Sequence, residues 1–172
     1  MISIRDADDR SAEAIAAIYN DAVLRTTAIW NDATVDAADR AAWIAGRRGA
    51  GFPVVVAVDE HGEVVGYASF GDWRAFDGYR CTVEHSVYVR GDQRGRGVGR
   101  ALMLELIARA RMLGKHAMVA GIDAGNEGSI RLHERLGFER VGLLPQVGMK
   151  FGRWLDLAFL QLVLDDRAQP PA

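Results

Sequence analysis

The segment QRGRGVGRALMLELIARA, residues 93–110, constrains the fold more than any other stretch of this chain. Glycines alternate with arginines at its start, and an uninterrupted helical pattern follows. The preceding SVYV is typical of a strand, so the pattern predicts a strand, a loop and a helix that begins near Gly99. Glycine lets a ligand approach the main chain closely, and the first-turn N–H groups of a helix lack intrahelical partners. The segment therefore predicts an anion-binding loop.

The arginines of this loop strengthen the prediction. Arg94, Arg96 and Arg100 can each make forked contacts with phosphate oxygens. Two known phosphate loops are excluded, because no Gly-Lys-Ser/Thr follows and the glycines do not match G-x-G-x-x-G. A glycine-rich turn with solvated arginines remains the alternative interpretation.

The rest of the chain alternates between helical and strand periodicity. Helices are predicted from a Ser11 cap, from Asp36 to the glycines of RRGAG, and from an Asn126 cap. Strands are predicted for FPVVVAVD and EVVGYASFGDW around the turn EHG, for CTVEHSVYV, for HAMVAGI and, as one or two closing strands, for GRWLDLAFLQLVLD. This order predicts an α/β (α+β) fold in which a mixed central sheet carries helices on both faces. We expect one domain over residues 1–164 and a flexible tail over 165–172.

Composition limits the possible partners. A chain of 172 residues with 49% hydrophobic residues and a net charge of -2 fits one compact domain, and its charge argues against nucleic-acid binding. The charged N-terminus and the lack of a window of about 18 apolar residues predict neither a secretory signal nor a membrane span. Cys81 is the only cysteine, and the four histidines form no metal-binding spacing with it. We therefore expect a cytoplasmic protein with a small-molecule partner and no metal.

The pattern Arg94-x-x-Gly97-x-Gly99, between a strand and a long helix, resembles the GNAT superfamily of N-acetyltransferases, in which this loop holds the pyrophosphate of coenzyme A. Asn126 with Ser129, and the LGF of residues 136–138, occur in the order of that superfamily. Over residues 4–164 the chain further resembles the branch of phosphinothricin, methionine sulfone and methionine sulfoximine N-acetyltransferases. The motifs that carry this likeness are IYNDAV, TTAIWN, GYASFGDWRAFDGY, TVEHSVYV, SIRLHERLGF and GMKFGRWLDLAFLQL.

The resemblance implies a GNAT fold, acetyl-CoA as the donor, the α-amine of a small amino acid as the acceptor, and a homodimer. It also implies that the strand before the loop diverges from its parallel neighbour and offers main-chain groups to the pantetheine and thioester. The cofactor-binding residues expected from it are Val87, Tyr88, Val89, Arg94, Gly95, Arg96, Gly97, Val98, Gly99, Arg100, Asn126 and Ser129.

Glu84 is the candidate general base. Acetyl transfer needs a neutral amine, and a nearby carboxylate can remove its proton directly or through water. Strand alternation puts Glu84 on one side with Thr82, Ser86 and Tyr88, opposite an apolar side. A surface-facing strand glutamate is the alternative.

His133 is the candidate proton source for the departing thiolate. Imidazole can donate a proton near neutral pH, and the position matches the phosphinothricin branch, although many relatives carry a tyrosine there. A structural histidine in a half-buried helix is the alternative. We interpret His85, on the apolar side of its strand, as a core residue or a support for Glu84.

The segment GDWRAFDGY predicts the acceptor pocket. A guanidinium suits the carboxylate of an amino acid, and Arg74 lies among aromatic residues, although it could instead shield exposed rings. The expected substrate-binding residues are Trp30, Trp73, Arg74, Phe76, Glu84 and His85. Lys150 is expected either to help bind a ligand or to cap the sheet.

Other functions stay open at this stage. The chain could bind acyl-CoA as a sensor without turnover, or acetylate protein N-termini or other amines. A covalent acetyl-Cys81 intermediate is not expected, because the adjacent sequence offers no basic partner and the superfamily usually transfers directly.

Overall fold

A computed structural model describes residues 2–171 and builds them around a seven-stranded sheet. Its strands are β1 (Ser3–Asp6), β2 (Val54–Val58), β3 (Val64–Asp72), β4 (Thr82–Val89), β5 (Ala117–Asp123), β6 (Glu139–Lys150) and β7 (Arg153–Val163). The strand order is β1-β2-β3-β4-β5-β7-β6, and only the β4–β5 pair is parallel. The α-helices of these residues are α1 (Ala12–Arg25), α2 (Ala37–Gly49), α3 (Val98–Met112) and α4 (Glu127–Arg135).

Helices cover both faces of this sheet, as predicted. On one face, α1 and α2 pack through Ile15 and Ile44 against a cluster that contains Tyr67 of β3. On the other face, α3 and α4 pack through Leu102 and Ile130 against the second core cluster. Within residues 2–171, the main contacts of the helices on the first face are with β2, β3 and β4, and not with β5, β7 and β6.

Short polar side chains set the helix starts. Asp36 accepts a hydrogen bond from the Asp39 amide at 2.8 Å and caps α2, and Asn126 caps α4 in the same way. The predicted start of α1 is confirmed, since Ser11 is its N-cap residue, but the Ser11 side chain makes no cap bond to this helix. Instead, Asp8 forms a capping box with Ser11 over a short 3-10 helix that leads into α1.

Two strands were not predicted from the sequence. β1 is short and mostly exposed, and it pairs only at the edge with β2. β6 contains Pro145, and its pairing with β7 shifts register on either side of residues 142–144. Nearly all of its residues are exposed, so exposed and buried positions do not alternate along it. An edge strand of this kind shows no period-two pattern of burial, which explains the omission.

The C-terminal segment after β7 makes specific contacts. Asp165 bonds to His116 at 2.8 Å, and Arg167 donates to the Gly114 carbonyl at 2.9 Å. These hydrogen bonds attach residues 165–167 to the segment between α3 and β5, which the polar composition of the tail did not predict. No helix between residues 2 and 171 is long and apolar enough to span a membrane.

Candidate active site

The sheet opens between its two parallel strands. β4 and β5 pair only from Thr82 with Ala117 to Glu84 with Val119. Beyond that point β4 runs on to Val89 and β5 to Asp123 without pairing to each other. The gap, called the seam here, leaves main-chain groups of Val87 and Val89 facing an opening instead of a neighbouring strand, whereas those of Tyr88 point to Tyr67 in β3. The divergence implied by the family resemblance is present.

The glycine loop lies at the end of the seam and leads directly into α3. Gly95 and Gly97 have φ angles of 76° and 83°, which side chains other than glycine rarely adopt. Gly97 is the N-cap of α3, and no side chain caps this helix, in contrast to α2 and α4. The N–H groups of the first turn are therefore available to an anion.

The third glycine of the loop has a different role. A methyl group on Gly99 would come within 3.3 Å of the Leu132 side chain in α4. Gly99 therefore allows α3 and α4 to approach each other, while Val98 beside it is buried in the core. Helix α3 begins at Val98, close to the predicted start.

The three loop arginines do not behave alike. Arg94 turns towards α1: its Nε donates to the Val89 carbonyl at 3.3 Å, and its guanidinium lies 4.0 Å from Asp21. Arg96 and Arg100 have no ion-pair partner among residues 2–171. Two free guanidinium groups thus remain near the helix N-terminus, and Arg94 holds the loop to α1 and β4.

At the start of α4, Asn126 and Ser129 are joined by the cap itself. The Asn126 Oδ1 accepts the Ser129 amide at 3.1 Å, so this side-chain oxygen serves the helix. The residues lie after β5, beyond the open end of the seam. The structure assigns them a role in fixing α4 beside the seam.

Glu84 lies where the seam begins and is half-buried. Its carboxyl group lies over Gly121, where a methyl group in place of the glycine hydrogen would be only 3.2 Å from Oε1. A side chain at position 121 would therefore restrict the space of this carboxyl. Burial raises the pKa of Glu84, and the nearby Arg74 guanidinium partly opposes this shift. A carboxyl with a raised pKa in an opening of the sheet suits general-base chemistry near neutral pH better than a surface role does.

Aromatic side chains stand beside this carboxyl. Trp73 meets Phe159 of β7 edge-to-face at 5.3 Å, and the Arg74 guanidinium lies 4.3 Å from the centre of the Trp73 ring. Phe159 in turn approaches Gly121, beside the Glu84 carboxyl. Trp73 and Arg74 therefore lie on the same side of the sheet as Glu84, whereas Phe76 is 77% exposed and outside that packing.

A second aromatic residue covers the same face from the other side. The loop of residues 26–35, between α1 and α2, places the Trp30 ring against Gly148 of β6. Gly148 pairs with Leu155, and alternation along β7 puts Leu155, Leu157 and Phe159 on one face. Trp30 therefore lies on the face of the sheet that carries Glu84.

Sequence reasoning missed Gly121 and Phe159, which lie beside Glu84 and Trp73. A glycine inside a buried strand often marks a close approach of another group, so Gly121 in HAMVAGI carried a usable signal. Phe159 carried none, because the closing strand is apolar throughout.

His85 and His133 form a buried pair on the opposite face of the sheet. Their rings stack with centroids 4.9 Å apart, and both pack edge-to-face against Phe138. His133 is 1% exposed. Its Nδ1 lies 2.7 Å from the Ser129 carbonyl and must carry the proton, so its Nε2 is the acceptor facing His85.

This arrangement corrects two expectations drawn from the sequence. His133 has both ring nitrogens engaged in the core, so it has no proton free for a thiolate in the seam. His85 faces the core that contains Phe138, away from Glu84, so it does not line the acceptor pocket. Burial lowers the pKa of both histidines, which keeps them neutral at pH 7.

Cys81 lies outside this site, just before β4, in a small pocket with His116 and Arg167. No group of three or more His, Cys, Asp or Glu side chains within residues 2–171 is arranged to hold a metal ion.

Known proteins resemble this chain in sequence and in fold. The model of the acetyltransferase (GNAT) family matches residues 15–138. The chain is 60% identical to an L-methionine sulfoximine/L-methionine sulfone acetyltransferase of Pseudomonas paraeruginosa, over 98% of both chains.

Solved structures share the whole fold. A Salmonella typhimurium acetyltransferase with its cofactor acetyl-CoA superposes with a TM-score of 0.96 and 58% identity, covering 99% of this chain and 98% of that one. A phosphinothricin acetyltransferase of Sinorhizobium meliloti in complex with acetyl-CoA has a TM-score of 0.95 and 40% identity, over 99% of this chain and 93% of its own. The chain therefore belongs to the acetyltransferase (GNAT) family.

Proposed function

We propose that this chain transfers the acetyl group of acetyl-CoA directly to the α-amine of a small amino acid related to methionine sulfone, methionine sulfoximine or phosphinothricin. The observation that carries the proposal is the half-buried Glu84 carboxyl at the start of the seam, with Arg74 beside it. The relatives named for these three acceptors support the choice of substrate class.

Acetyl-CoA fits the residues around the seam and supplies an acetyl thioester. The uncapped N-terminus of α3, with Gly95 to Gly99 and the free Arg96 and Arg100, suits the diphosphate. The main-chain groups of Val87 and Val89 suit the pantetheine, and their N–H groups can donate to an oxyanion at the thioester carbonyl. Arg94, Asn126 and Ser129 support this site by holding the loop and α4 in place.

The acceptor lies between the two aromatic walls. The Arg74 guanidinium pairs with the amino acid carboxylate, and Trp30 and Trp73 enclose the side chain over the floor of Gly121. Phe76, which is exposed, can contact the acceptor only from outside this packing.

Glu84 accepts a proton from the ammonium group, directly or through water, and leaves a neutral amine. The amine nitrogen then bonds to the acetyl carbon as the carbon–sulfur bond breaks. The second proton lost by the nitrogen passes through water to the thiolate. This route needs no proton from His133, in keeping with the two bonds that His133 already makes.

A panel of acceptors tests the proposal. Thiol release from acetyl-CoA should be rapid with methionine sulfone, methionine sulfoximine and phosphinothricin, and absent with peptides that present a free N-terminus. Turnover of peptides would instead indicate a protein N-terminal acetyltransferase. Binding of coenzyme A in calorimetry without thiol release from any amine would indicate a sensor.

We further propose a homodimer formed through β6. This edge strand exposes apolar residues along its length, and the adjoining turn and β7 add more; the exposed set is Val141, Leu143, Leu144, Val147, Met149, Phe151 and Trp154. An uncovered apolar edge strand favours association, and a second copy offers a self-complementary surface. Light scattering should give twice the chain mass, Met149→Asp should reduce it to one chain, and Met112→Asp, at an exposed methionine of α3, should not. A monomeric wild-type chain contradicts the proposal.

A cytoplasmic location and a role in detoxification complete the proposal. The single free Cys81 and the demand for acetyl-CoA support the location. Acceptors of the kind named above are analogues of amino acids, and acetylation removes the basic amine by which other enzymes recognise them.

A further inference from the structure

The loop of residues 26–35 reaches across the open part of the sheet and is held there by side-chain contacts. Thr27 donates from its hydroxyl to the Asp123 carboxylate at the end of β5. The Trp30 indole donates to the Thr27 carbonyl at 2.8 Å, so the ring is tied to the anchored part of the loop. This segment is called the acceptor loop below.

Lys150, the last residue of β6, holds the acceptor loop from the other side. Its ammonium group donates to the Ile29 carbonyl, and the residue is only 4% exposed. Burial lowers the pKa of Lys150, and Asp32 on the same loop partly opposes that shift. A buried ammonium needs acceptors, and the Ile29 carbonyl of the acceptor loop accepts its hydrogen bond, while the Phe151 ring lies 5.0 Å away on the side of the strand.

Gly148 brings the ring of Trp30 onto the main chain of β6. A methyl group at this position would overlap the Cε3 and Cζ3 atoms of Trp30. Gly148 and Lys150 are two residues apart on one strand, so both face the acceptor loop. Their roles differ, because Gly148 sets how deep the ring lies and Lys150 fixes the backbone that carries it.

These contacts lie on the face of the sheet that carries Glu84. Gly148 pairs with Leu155, and Asp123 pairs with Leu157, whose side chain approaches Gly121 beside the Glu84 carboxyl. The distance from the Trp30 wall to the carboxyl is therefore set by where β6 and β5 hold the acceptor loop. Neither Gly148 nor Lys150 needs to touch the acceptor for this.

We propose that Gly148 and Lys150 are positioning residues that determine acceptor specificity: they fix the Trp30 wall and thereby the size of the amino acid pocket. The inference rests on the proposed function only in taking Trp30 as a wall of that pocket. Through these two residues, β6 controls the binding of the amino acid but not that of acetyl-CoA, although β6 lies outside the seam.

The first test is Lys150→Met, which keeps most of the side-chain length and removes the donor. Hydrogen exchange of the acceptor loop should become faster, while exchange in α3 stays unchanged. The KM for methionine sulfone should rise about tenfold or more, as loss of a hydrogen bond to a charged group implies, and the KM for acetyl-CoA should stay the same. Lys150→Arg, which retains the charge and donors, should recover part of the loss.

The second test is a double-mutant cycle between Gly148→Ala and Trp30→Ala. Gly148→Ala alone should raise the KM for the acceptor, because the ring must move. In the Trp30→Ala background the same change should add nothing, since the overlapping ring is gone. Gly142→Ala on the same strand is the matched control, because its methyl group would meet Phe159 only at 3.9 Å.

Unchanged exchange of the acceptor loop in Lys150→Met would overturn the inference. So would an effect of Gly148→Ala that persists in full without Trp30, or equal changes in both KM values. The exchange measurement needs no turnover. It therefore shows whether Lys150 anchors the acceptor loop even if the wild-type chain acetylates no amino acid and the proposed function fails.

Discussion

The Nε2 atoms of His85 and His133 lie 3.1 Å apart in the core. Since His133 accepts through this atom, His85 must donate, which leaves the His85 Nδ1 without a partner among the described residues. Protonation of His133 would put a second donor into this contact, and protonation of His85 would bury a charge with an unpaired Nδ1–H, so both rings are stable in the core only when neutral. The relationship therefore makes the stability of the fold depend on pH.

Stability should decrease below about pH 6.5. The ordinary histidine pKa is 6.5, and both folded values lie below it, so the unfolded chain binds more protons as the pH falls. The stabilisation is fully present above that pH and is lost below it, by at most about 1.4 kcal/mol per pH unit for each imidazole. Denaturant unfolding from pH 7.5 to 5 measures the loss. His85→Gln should flatten the curve, and His61→Asn, at an exposed histidine, should not.

Glu84→Gln should lower kcat by about 10²- to 10⁴-fold at neutral pH, as expected for removal of a general base. In the wild type, activity should fall with pH through a value above the ordinary 4.5 of this carboxyl, because burial raises its pKa. That acidic limb should disappear from the variant. Glu139→Gln, at an exposed carboxylate of β6, is the control. A variant with the wild-type pH–rate profile removes Glu84 from the mechanism.

Arg74→Ala should raise the KM for the amino acid about 10- to 100-fold, because a charge-assisted pair with the carboxylate is lost. The KM for acetyl-CoA should change little, since the guanidinium lies over Trp73 in the proposed acceptor pocket. Steady-state kinetics with each substrate varied in turn makes the comparison. Equal increases for both substrates would mean that Arg74 serves another part of the site.

Gly97→Ala should destabilise the chain by about 1–2 kcal/mol, because the residue has a left-handed φ of 83°. The strained loop should also bind coenzyme A more weakly in calorimetry. Gly46→Ala offers a control of opposite sign: it lies inside α2 with open space around it, and alanine favours a helix there by about 1 kcal/mol. An undiminished affinity in Gly97→Ala would remove the loop from the cofactor site.

Cys81→Ala should retain nearly all activity, because the thiol lies outside the site, in the pocket of His116 and Arg167. Mass spectrometry of the wild type after mixing with acetyl-CoA alone should show no acetyl adduct on Cys81. An acetyl adduct on Cys81 that disappears when the amino acid is added would contradict direct transfer.

Much of the fold and part of the site could be predicted from local pattern. The helices, the β2–β3 hairpin and the Asn126 cap follow from periodicity and capping chemistry, which act within a few neighbouring residues. The glycine loop was recognisable because its backbone conformations are specific to glycine.

Contacts between distant segments could not be predicted in this way. The bond from Lys150 to Ile29 and the packing of Trp30 on Gly148 join a loop to a strand more than a hundred residues away. The pairing of His85 with His133 likewise follows from the closing of α4 onto the sheet. A motif showed that His133 was notable, but only its partners showed that it lies in the core.

Because β4 and β5 separate in the middle of the sheet, each of these strands has an unpaired edge inside the sheet. The peptide groups along those edges in β4 and β5 rely on solvent until a ligand backbone occupies the gap. The pantetheine arm carries amides of its own, so it can make the hydrogen bonds that a neighbouring strand would otherwise make. A bound cofactor should thus complete the hydrogen bonding between β4 and β5. Without it, local opening of the structure should be most frequent where these two strands do not pair.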